Sequence, residues 1–223
     1  MSCENREGRV KEWIVWDWNG TLFDDVRLSV ECINRLLSRY HLNPFETLEQ
    51  YREVFGFPVS EYYRRIGFDF DHIPFEVLAE EYMADYQERS MRCPLYPDAL
   101  EVLSRCREWG YGLVLLSASR KDYLLRQVEV CGVSAYFDSV WGIENIYAAG
   151  KSGLARLLRG TLPEQDRLWF VGDSLHDAQA AQEVRADCIL ISAGHQSARQ
   201  LRAAGVPVVE SLPDALRLIH PDS

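Results

Sequence analysis

The stretch WIVWDWNGTLFDD, residues 13–25, predicts a buried strand that ends at a carboxylate. Four apolar residues precede Asp17, and an unbroken apolar run is typical of a strand covered on both faces of a parallel sheet. Gly20 follows shortly afterwards, so we expect a tight turn there. An amide, Asn19, stands two residues after the carboxylate, and its presence raises the question of what chemistry the turn supports.

The composition indicates a globular protein with an acidic surface. The chain has 223 residues, of which 47% are hydrophobic, enough for one large domain or for a core with a smaller insert. Its 24 Lys and Arg residues face 34 Asp and Glu residues, which gives a formal net charge of -10. This charge disfavours a nucleic acid or an anionic membrane as a partner. Any anionic ligand must therefore be held by local chemistry.

The cysteines and the beginning of the chain predict a cytoplasmic protein. The 6 cysteines show neither a Cys-x-x-Cys pair nor zinc-like spacing, and the charged start lacks the apolar segment of a signal peptide. No apolar run approaches the roughly 18 residues that a membrane span requires. The sequence makes no prediction of oligomeric state.

Strands and helices are predicted to alternate after about residue 95. Apolar runs at YGLVLLS, DSVWG, LWFVGDS and DCILISA read as strands, and segments with helical periodicity separate them. One predicted helix covers roughly residues 120–131 and another covers about 175–185. This succession implies a doubly wound, Rossmann-like α/β fold with a parallel sheet, whose first strand is WIVWD.

The segment between the first two strands reads as an all-helical insert. Four amphipathic stretches follow one another there without a convincing strand. We predict a core domain formed by residues 8–23 and 93–223, and a helical cap domain formed by residues 24–92. Because the insert leaves the sheet at the carboxyl end of strand one, where ligands bind in open α/β sheets, it should cover the site.

Four polar positions coincide with the ends of predicted strands or the starts of the helices after them. They are Asp17, Ser117, Lys151 and Asp173, and Asp177 follows four residues after the last of these. Taken singly, each also has a purely structural interpretation as a turn residue, a helix cap or a solvated helix start. Their common order and spacing favour a functional site.

This pattern resembles the haloacid dehalogenase-like hydrolase superfamily over essentially the whole chain. The family's Asp-x-Asp-Gly-Thr motif stands here as Asp17-Trp18-Asn19-Gly20-Thr21, and its Gly-Asp-x-x-x-Asp motif stands as GDSLHD. Ser117 in LVLLSAS and Lys151 in AGKSG match the two weaker motifs, although Ser152 replaces the Pro often found there. The helical insert is similar to the cap of the phosphoglycolate phosphatase-like branch.

The resemblance implies a phosphatase that acts on a small phosphorylated metabolite. Asp17 would attack phosphorus and form an aspartyl-phosphate. A Mg²⁺ ion would be held by the carboxylates of Asp17 and Asp173 and by the backbone carbonyl of Asn19. Asp177 would orient the metal shell or Lys151.

The remaining matched residues would bind the phosphoryl group. Lys151 would supply a fixed positive charge, and the Ser117 hydroxyl and the backbone amide of Ala118 would donate hydrogen bonds. Gly20 and Thr21 would let the backbone turn tightly around the phosphate. In the predicted cap, Arg64 and Arg65 could contact a second anionic group of the substrate, although a solvated helix face is the alternative interpretation.

Asn19 departs from the family pattern at the position of the general acid and base. An amide cannot protonate a leaving alcohol, and general acid-base catalysis commonly contributes about 10² to 10⁴ in rate. Three outcomes stay open. The enzyme acts on esters with good leaving groups; another residue such as Asp24, Asp25 or His176 replaces the acid; or the chain is a catalytically weak module that binds a phosphorylated metabolite.

Overall fold

The computed structural model describes residues 10–143 and 150–221. The predicted outer ends of the core domain, at residues 8 and 223, lie outside the described residues. The described part contains one six-stranded sheet. Its strands are β1 (Glu12–Trp16), β2 (Gly112–Arg120), β3 (Ser139–Ile143), β4 (Arg167–Gly172), β5 (Asp187–Ile191) and β6 (Val208–Val209).

The sheet is parallel throughout and has the order β3-β2-β1-β4-β5-β6. The predicted α/β doubly wound class is therefore confirmed. Strand β1 lies at the centre, between β2 and β4. Strands β2 and β3 lie on one side of it, and β4, β5 and β6 lie on the other. Such a reversal of strand order opens a crevice at the carboxyl ends of the strands, where ligands bind.

Helices cover both faces of the sheet, which explains why its strands are apolar along their length. Ile14 and Trp16 belong to one hydrophobic cluster and Val15 belongs to another, since successive side chains of a strand point to opposite faces. The helices of this part are α5 (Ala99–Glu108), α6 (Lys121–Val130), α7 (Gly150–Thr161), α8 (Leu175–Glu183), α9 (Ala198–Leu201) and α10 (Leu212–Ile219), with short 3₁₀ helices at Ser134–Tyr136 and Arg202–Ala204.

Four helices precede α5 in the chain, where the sequence predicts the cap. They are α1 (Val26–Arg39), α2 (Leu48–Val54), α3 (Val59–Arg65) and α4 (Phe75–Ser90). They bury a hydrophobic cluster of their own, in which Tyr51, Tyr62 and Leu78 are almost fully covered. The division at residues 24 and 92 itself stays a prediction.

Several local features differ from the sequence prediction. Strand β2 continues three residues beyond Ser117, and its pairing with β3 shifts register between Leu116 and Arg120. Lys151 lies within the first turn of α7 rather than before that helix. The sequence predicted neither β6 nor the last two helices. Among the described residues we find no helix with the length and apolarity that crossing a bilayer requires.

Candidate active site

Asp17 follows the last residue of β1 and lies at the bottom of a cleft. Its backbone N–H donates to the Val171 carbonyl at 2.9 Å, so the neighbouring strand β4 fixes its position. The Thr21 hydroxyl donates to Asp17 Oδ2 at 3.4 Å. Gly20 has a φ of +72°, and a Cβ there would lie 2.2 Å from Asp173 Oδ2. The turn after β1 therefore requires glycine for its conformation and for the close approach of Asp173.

Three buried carboxylates meet at this point, from Asp17, Asp173 and Asp177. Each contributes an oxygen atom that lies within 4.8 Å of the others. Burial raises the pKa of Asp17 to about 8, and the neighbouring Asp177 and Asp173 carboxylates add to this effect against the opposing charge of Lys151. Burial also raises the pKa of Asp173 to about 6. These carboxylates need cationic partners to stay ionised at neutral pH.

Lys151 supplies one such partner. Its ammonium contacts Asp17 Oδ1 and Asp177 Oδ1, and its side chain is 4% exposed. Burial alone would lower the pKa of Lys151, but the two carboxylates outweigh burial and hold that pKa above its ordinary value. Three carboxylates and one ammonium have a net charge of -2 when all are ionised, and the atoms available to bind a metal ion are oxygens. This donor set fits a hard divalent cation.

The turn between β4 and α8 presents Asp173 and anchors Asp177. Ser174 donates through its hydroxyl and its backbone N–H to Asp177 Oδ2, at 2.6 and 3.1 Å. Asp177 is therefore held from one side by this turn and from the other by Lys151. It is 1% exposed, so it acts on the site through Lys151.

Ser117 and Ala118 line another side of the cleft, within the part of β2 where its pairing with β3 shifts register. Ser117 is 2% exposed, and its hydroxyl oxygen accepts from the Ser119 N–H at 3.1 Å. The Ser117 hydroxyl proton is thus free to point at a bound ligand.

The side chain of Asn19 is held by three neighbours that the sequence did not reveal. Its amide donates to Asp25 Oδ2 and to the Tyr86 hydroxyl, both at 2.9 Å. Its carbonyl oxygen accepts from the Ser119 hydroxyl at 2.8 Å. These three hydrogen bonds fix the orientation of the Asn19 side chain in the cleft.

Asp25 is the centre of this buried network. Its Oδ1 accepts from the Gly20 N–H at 3.0 Å and lies 3.2 Å from His195 Nε2, and its Oδ2 accepts from Tyr86 at 2.5 Å. Burial alone would raise the pKa of Asp25, but His195 and the hydrogen bonds from Tyr86 and Asn19 outweigh it and lower that pKa. Asp25 is therefore an ionised structural carboxylate.

His195 joins this network to the acidic cluster. Its backbone N–H donates to Asp173 Oδ2 at 2.5 Å, and its Nδ1 lies 2.8 Å from the Tyr51 hydroxyl. Burial alone would lower the pKa of His195, but Asp25 outweighs burial and raises that pKa to about 9. The sequence did not assign His195 to the site. Its place after strand β5, another carboxyl end at this edge of the sheet, is the signal that could have found it.

The three residues considered as replacement acids differ in position. Asp25 and His176 line the cleft, whereas Asp24 is not among its lining residues. His176 packs against Phe57 with ring centroids 4.6 Å apart, and among the described residues its buried Nδ1 has no hydrogen-bond partner. Burial lowers the pKa of His176, and the charge of Lys151 lowers it further.

Arg64 and Arg65 do not reach the cleft. Helix α3 buries Tyr62 and Tyr63 in the cap, so the next two side chains point outward. Arg64 pairs with Glu61 at 2.7 Å, and Arg65 Nε donates to the Glu61 carbonyl at 3.3 Å. The structure thus favours the solvated-face interpretation and does not place these arginines on a substrate. Trp18, beside Asp17, is also a packing residue, because its ring is fully buried and stacks on Phe23.

A single cavity of about 400 Å³ connects these groups with the cap. Its floor contains Asp17, Asn19, Lys151 and Asp173, and Ser117 with Ala118 forms one side. Gly20, Thr21 and Asp177 lie behind this floor and are not lining residues. The cavity therefore combines a nucleophilic carboxylate, a fixed cation, neutral hydrogen-bond donors and a set of oxygens for a metal ion.

Comparison with known proteins is consistent with this chemistry. The family described as "Haloacid dehalogenase-like hydrolase" matches residues 14–191. A phosphoglycolate phosphatase from Pseudomonas fluorescens is 23% identical over 228 residues, which cover 96% of this chain and 80% of that protein.

Solved structures share the fold over almost the whole chain. A haloacid dehalogenase-like hydrolase from Streptococcus pneumoniae superposes with a TM-score of 0.80 at 16% identity, covering 95% of this chain and 99% of the other. Protein tyrosine kinase A from Mycobacterium tuberculosis superposes with a TM-score of 0.77 at 23% identity, again covering 95% and 99%. At these identities the structural likeness shows the fold alone.

Proposed function

Because the chain belongs to the haloacid dehalogenase-like hydrolase family and is a phosphoric monoester hydrolase, we propose that it uses Mg²⁺ and an aspartyl-phosphate on Asp17 to cleave a small phosphorylated metabolite. The observation that carries this proposal is the meeting of Asp17, Asp173 and Lys151 at the floor of one cavity. A dianionic phosphate ester needs both a fixed nucleophile and charge neutralisation, and these groups supply them.

The metal would be held by the oxygen donors of this floor. Asp17 and Asp173 offer carboxylates, and Asn19 offers its backbone carbonyl; the deficit of two positive charges supports a dication there. When bound, Mg²⁺ would neutralise charge on the phosphoryl oxygens. Because Asn19 contributes its main chain, the amide side chain does not weaken this site.

The residues of the chain divide the chemical work between attack and charge stabilisation. Asp17 attacks phosphorus, and Lys151 keeps the attacking carboxylate oriented through its contact with Asp17 Oδ1. Asp177 positions Lys151 from behind. The Ser117 hydroxyl and the Ala118 amide, which line the cavity wall, donate to the phosphoryl oxygens.

Asn19 makes the site selective for the leaving group. Its amide donates to Asp25 and Tyr86 and has no proton to give to a departing alkoxide. Esters whose leaving group is stable as an anion need no such proton. We therefore propose that turnover depends strongly on the acidity of the leaving alcohol.

The proposal is tested by phosphate release from phenyl phosphate and ethyl phosphate at saturating Mg²⁺. We expect phenyl phosphate to be hydrolysed and to exceed ethyl phosphate in kcat/KM by about 10² or more, the lower end of the general acid-base range. Asp17→Asn should abolish turnover of both esters, and chelation of Mg²⁺ should do the same. Measurable phosphate binding without turnover of phenyl phosphate would instead favour the catalytically weak binding module.

The proposed setting is the cytoplasm. Five cysteines of the described residues are free thiols: Cys32, Cys93, Cys106, Cys131 and Cys188. Such thiols are typical of a reducing compartment. The net charge of -10 supports a small phosphorylated molecule as the ligand, rather than a nucleic acid or an anionic membrane.

A further inference from the structure

The cavity extends from Asp17 into the cap, and its cap wall is aromatic. Its volume of about 400 Å³ falls within the range of roughly 300 to 1,000 Å³ that is typical of small-molecule pockets. The cap contributes seven rings to the wall: Tyr51, Phe55, Phe57, Tyr62, Tyr63, Tyr82 and Tyr86. A two-carbon phosphate ester bound at Asp17 would leave most of this wall without contacts.

In the part of the chain that the structure describes, the cap side of this wall has no cation that could hold a carboxylate of the substrate. Arg120 lines the cavity from the end of β2, but it is paired with Asp122 at 2.6 Å. Within residues 10–143 and 150–221, no arginine or lysine of helices α1–α4 lines the cavity. Several arginines of these helices form ion pairs instead, such as Arg35 with Asp85 at 2.9 Å and Arg39 with Glu81 at 2.8 Å. The cap half of the cavity therefore disfavours an anionic group, because burying an unpaired charge is costly.

One polar group of the wall is free to contact a ligand. Tyr62 is 3% exposed, and its buried hydroxyl has no hydrogen-bond partner among the residues that the structure describes. Burial holds the pKa of Tyr62 well above its ordinary value, so the hydroxyl stays neutral. A buried neutral donor in an aromatic wall suits a ring that carries a neutral polar substituent.

We propose that the substrate is a phosphate monoester of an aromatic alcohol, whose ring packs against the cap half of this cavity. The inference rests on the proposed phosphatase function and adds the class of the leaving group. Aromatic walls favour a flat apolar ring through area burial and ring contacts. The absence of an acid at Asn19 favours the same class on separate chemical grounds.

The reaction balances without a proton from residue 19. The Asp17 carboxylate forms a bond to phosphorus, and the bond from phosphorus to the aryl oxygen breaks, so that the aryloxide leaves with the electron pair. Water then attacks phosphorus, which releases inorganic phosphate, the Asp17 carboxylate and one proton. That proton neutralises the aryloxide. Phenols ionise near pH 10, so an aryloxide can leave unprotonated.

The first test compares three aryl esters at saturating Mg²⁺: phenyl, 2-naphthyl and 4-carboxyphenyl phosphate. We expect 2-naphthyl phosphate to exceed phenyl phosphate in kcat/KM by about tenfold, because its second ring buries more apolar area. We expect 4-carboxyphenyl phosphate to fall below phenyl phosphate by about tenfold, although its leaving group is the better one. Hydrolysis of phenyl phosphate without these preferences would overturn the inference alone. Hydrolysis of none of the three would overturn the proposed function as well.

A second test changes the wall itself. Met83 and Val77 both lie on α4 and are 37% and 42% exposed, but only Met83 lines the cavity. Met83→Arg should raise the ratio of 4-carboxyphenyl to phenyl phosphate in kcat/KM by about fivefold or more, because it places a cation in the wall. The matched variant Val77→Arg should leave this ratio within about twofold of wild type. An equal change in both variants would show that the cap wall does not contact the leaving group.

Discussion

Asn19 is defined as much by its neighbours as by its own chemistry. An amide at this position cannot donate a proton, and the aspartate that the family motif has there suggests that Asn19→Asp would be tolerated. The structure changes the second expectation, because Asn19 Nδ2 lies 2.9 Å from Asp25 Oδ2. An aspartate at residue 19 would face this buried carboxylate, and one of the two would have to stay protonated.

We therefore expect Asn19→Asp alone to lower the free energy of unfolding by about 1 to 3 kcal/mol at neutral pH. The swap variant Asn19→Asp with Asp25→Asn restores one carboxylate and one amide with reversed hydrogen-bond direction. It should recover most of the lost stability, with a coupling energy of about 1 to 3 kcal/mol in a double-mutant cycle. Urea unfolding of the four proteins measures this coupling.

The swap also has an expected effect on activity. With a carboxyl group at residue 19, ethyl phosphate turnover should rise by about tenfold or more, because this position lines the cavity with Asp17 and a carboxyl group, unlike an amide, can donate a proton to the leaving oxygen. Phenyl phosphate should change less, because its leaving group needs little protonation. If the two single variants prove additive in stability, or if ethyl phosphate turnover stays flat in the swap, the contact between Asn19 and Asp25 does not have the role assigned to it.

Two elements of opposite charge form the acidic cluster: the β4–α8 turn contributes carboxylates, and α7 contributes an ammonium. The β4–α8 turn brings Asp173 and Asp177 into the site, and the first turn of α7 brings Lys151 against Asp177 and Asp17. Asp173 thus adds to the charge that attracts a metal ion, whereas Lys151 offsets it. Substitutions in the two elements should consequently have separable effects.

Asp173→Asn should weaken Mg²⁺ binding in calorimetry by about tenfold or more, because it removes one charged oxygen donor.

Lys151→Met should retain Mg²⁺ binding but lower the free energy of unfolding by about 3 to 5 kcal/mol without metal, since it leaves two buried carboxylates unpaired. Added Mg²⁺ should stabilise Lys151→Met more than wild type. Glu183→Gln, an exposed substitution on α8, is the matched control and should leave Mg²⁺ affinity unchanged. Equal Mg²⁺ affinity in Asp173→Asn and wild type would refute the metal assignment.

The elements that the sequence predicted well are those that depend on local pattern. Apolar runs that end in a polar residue predicted the strands β1 and β4, and so predicted that Asp17 and Asp173 lie at one edge of the sheet. The face that a short helix presents depends on packing instead. On α3, the sequence does not decide whether the two tyrosines or the two arginines face the cavity. Only the packing of the cap shows that Tyr62 and Tyr63 are buried. Contacts over a long sequence separation, such as Asp25 with His195, leave no local signal.

The molecule as a whole is joined across the cleft by α2 and the segment that follows β5. Arg52 of α2 donates to the carbonyls of Gly194 and Ala193 at 2.8 and 2.5 Å. Tyr51 of the same helix reaches the ring of His195. The helices of the cap and the sheet are thus connected beside the site, and His195 lies at the centre of this connection, between Tyr51 and Asp25.

This position makes the stability of the molecule dependent on pH. The pKa of His195 is raised from 6.5 to about 9 in the folded protein, so between these values the folded state binds more protons than the unfolded state. The stabilisation by His195 is therefore complete below about pH 6.5 and is lost as the pH rises through about 9.

Across this window the advantage of wild type over His195→Gln in the free energy of unfolding should shrink by on the order of 3 kcal/mol. Urea unfolding at pH 6 and pH 9.5 in the presence of a chelator measures it. Groups that do not contact His195 cancel in this difference, and His72→Gln, at an exposed histidine of the cap, should follow wild type. Parallel stability curves for wild type and His195→Gln would show that the pair with Asp25 does not hold the cap and the sheet together through its charge.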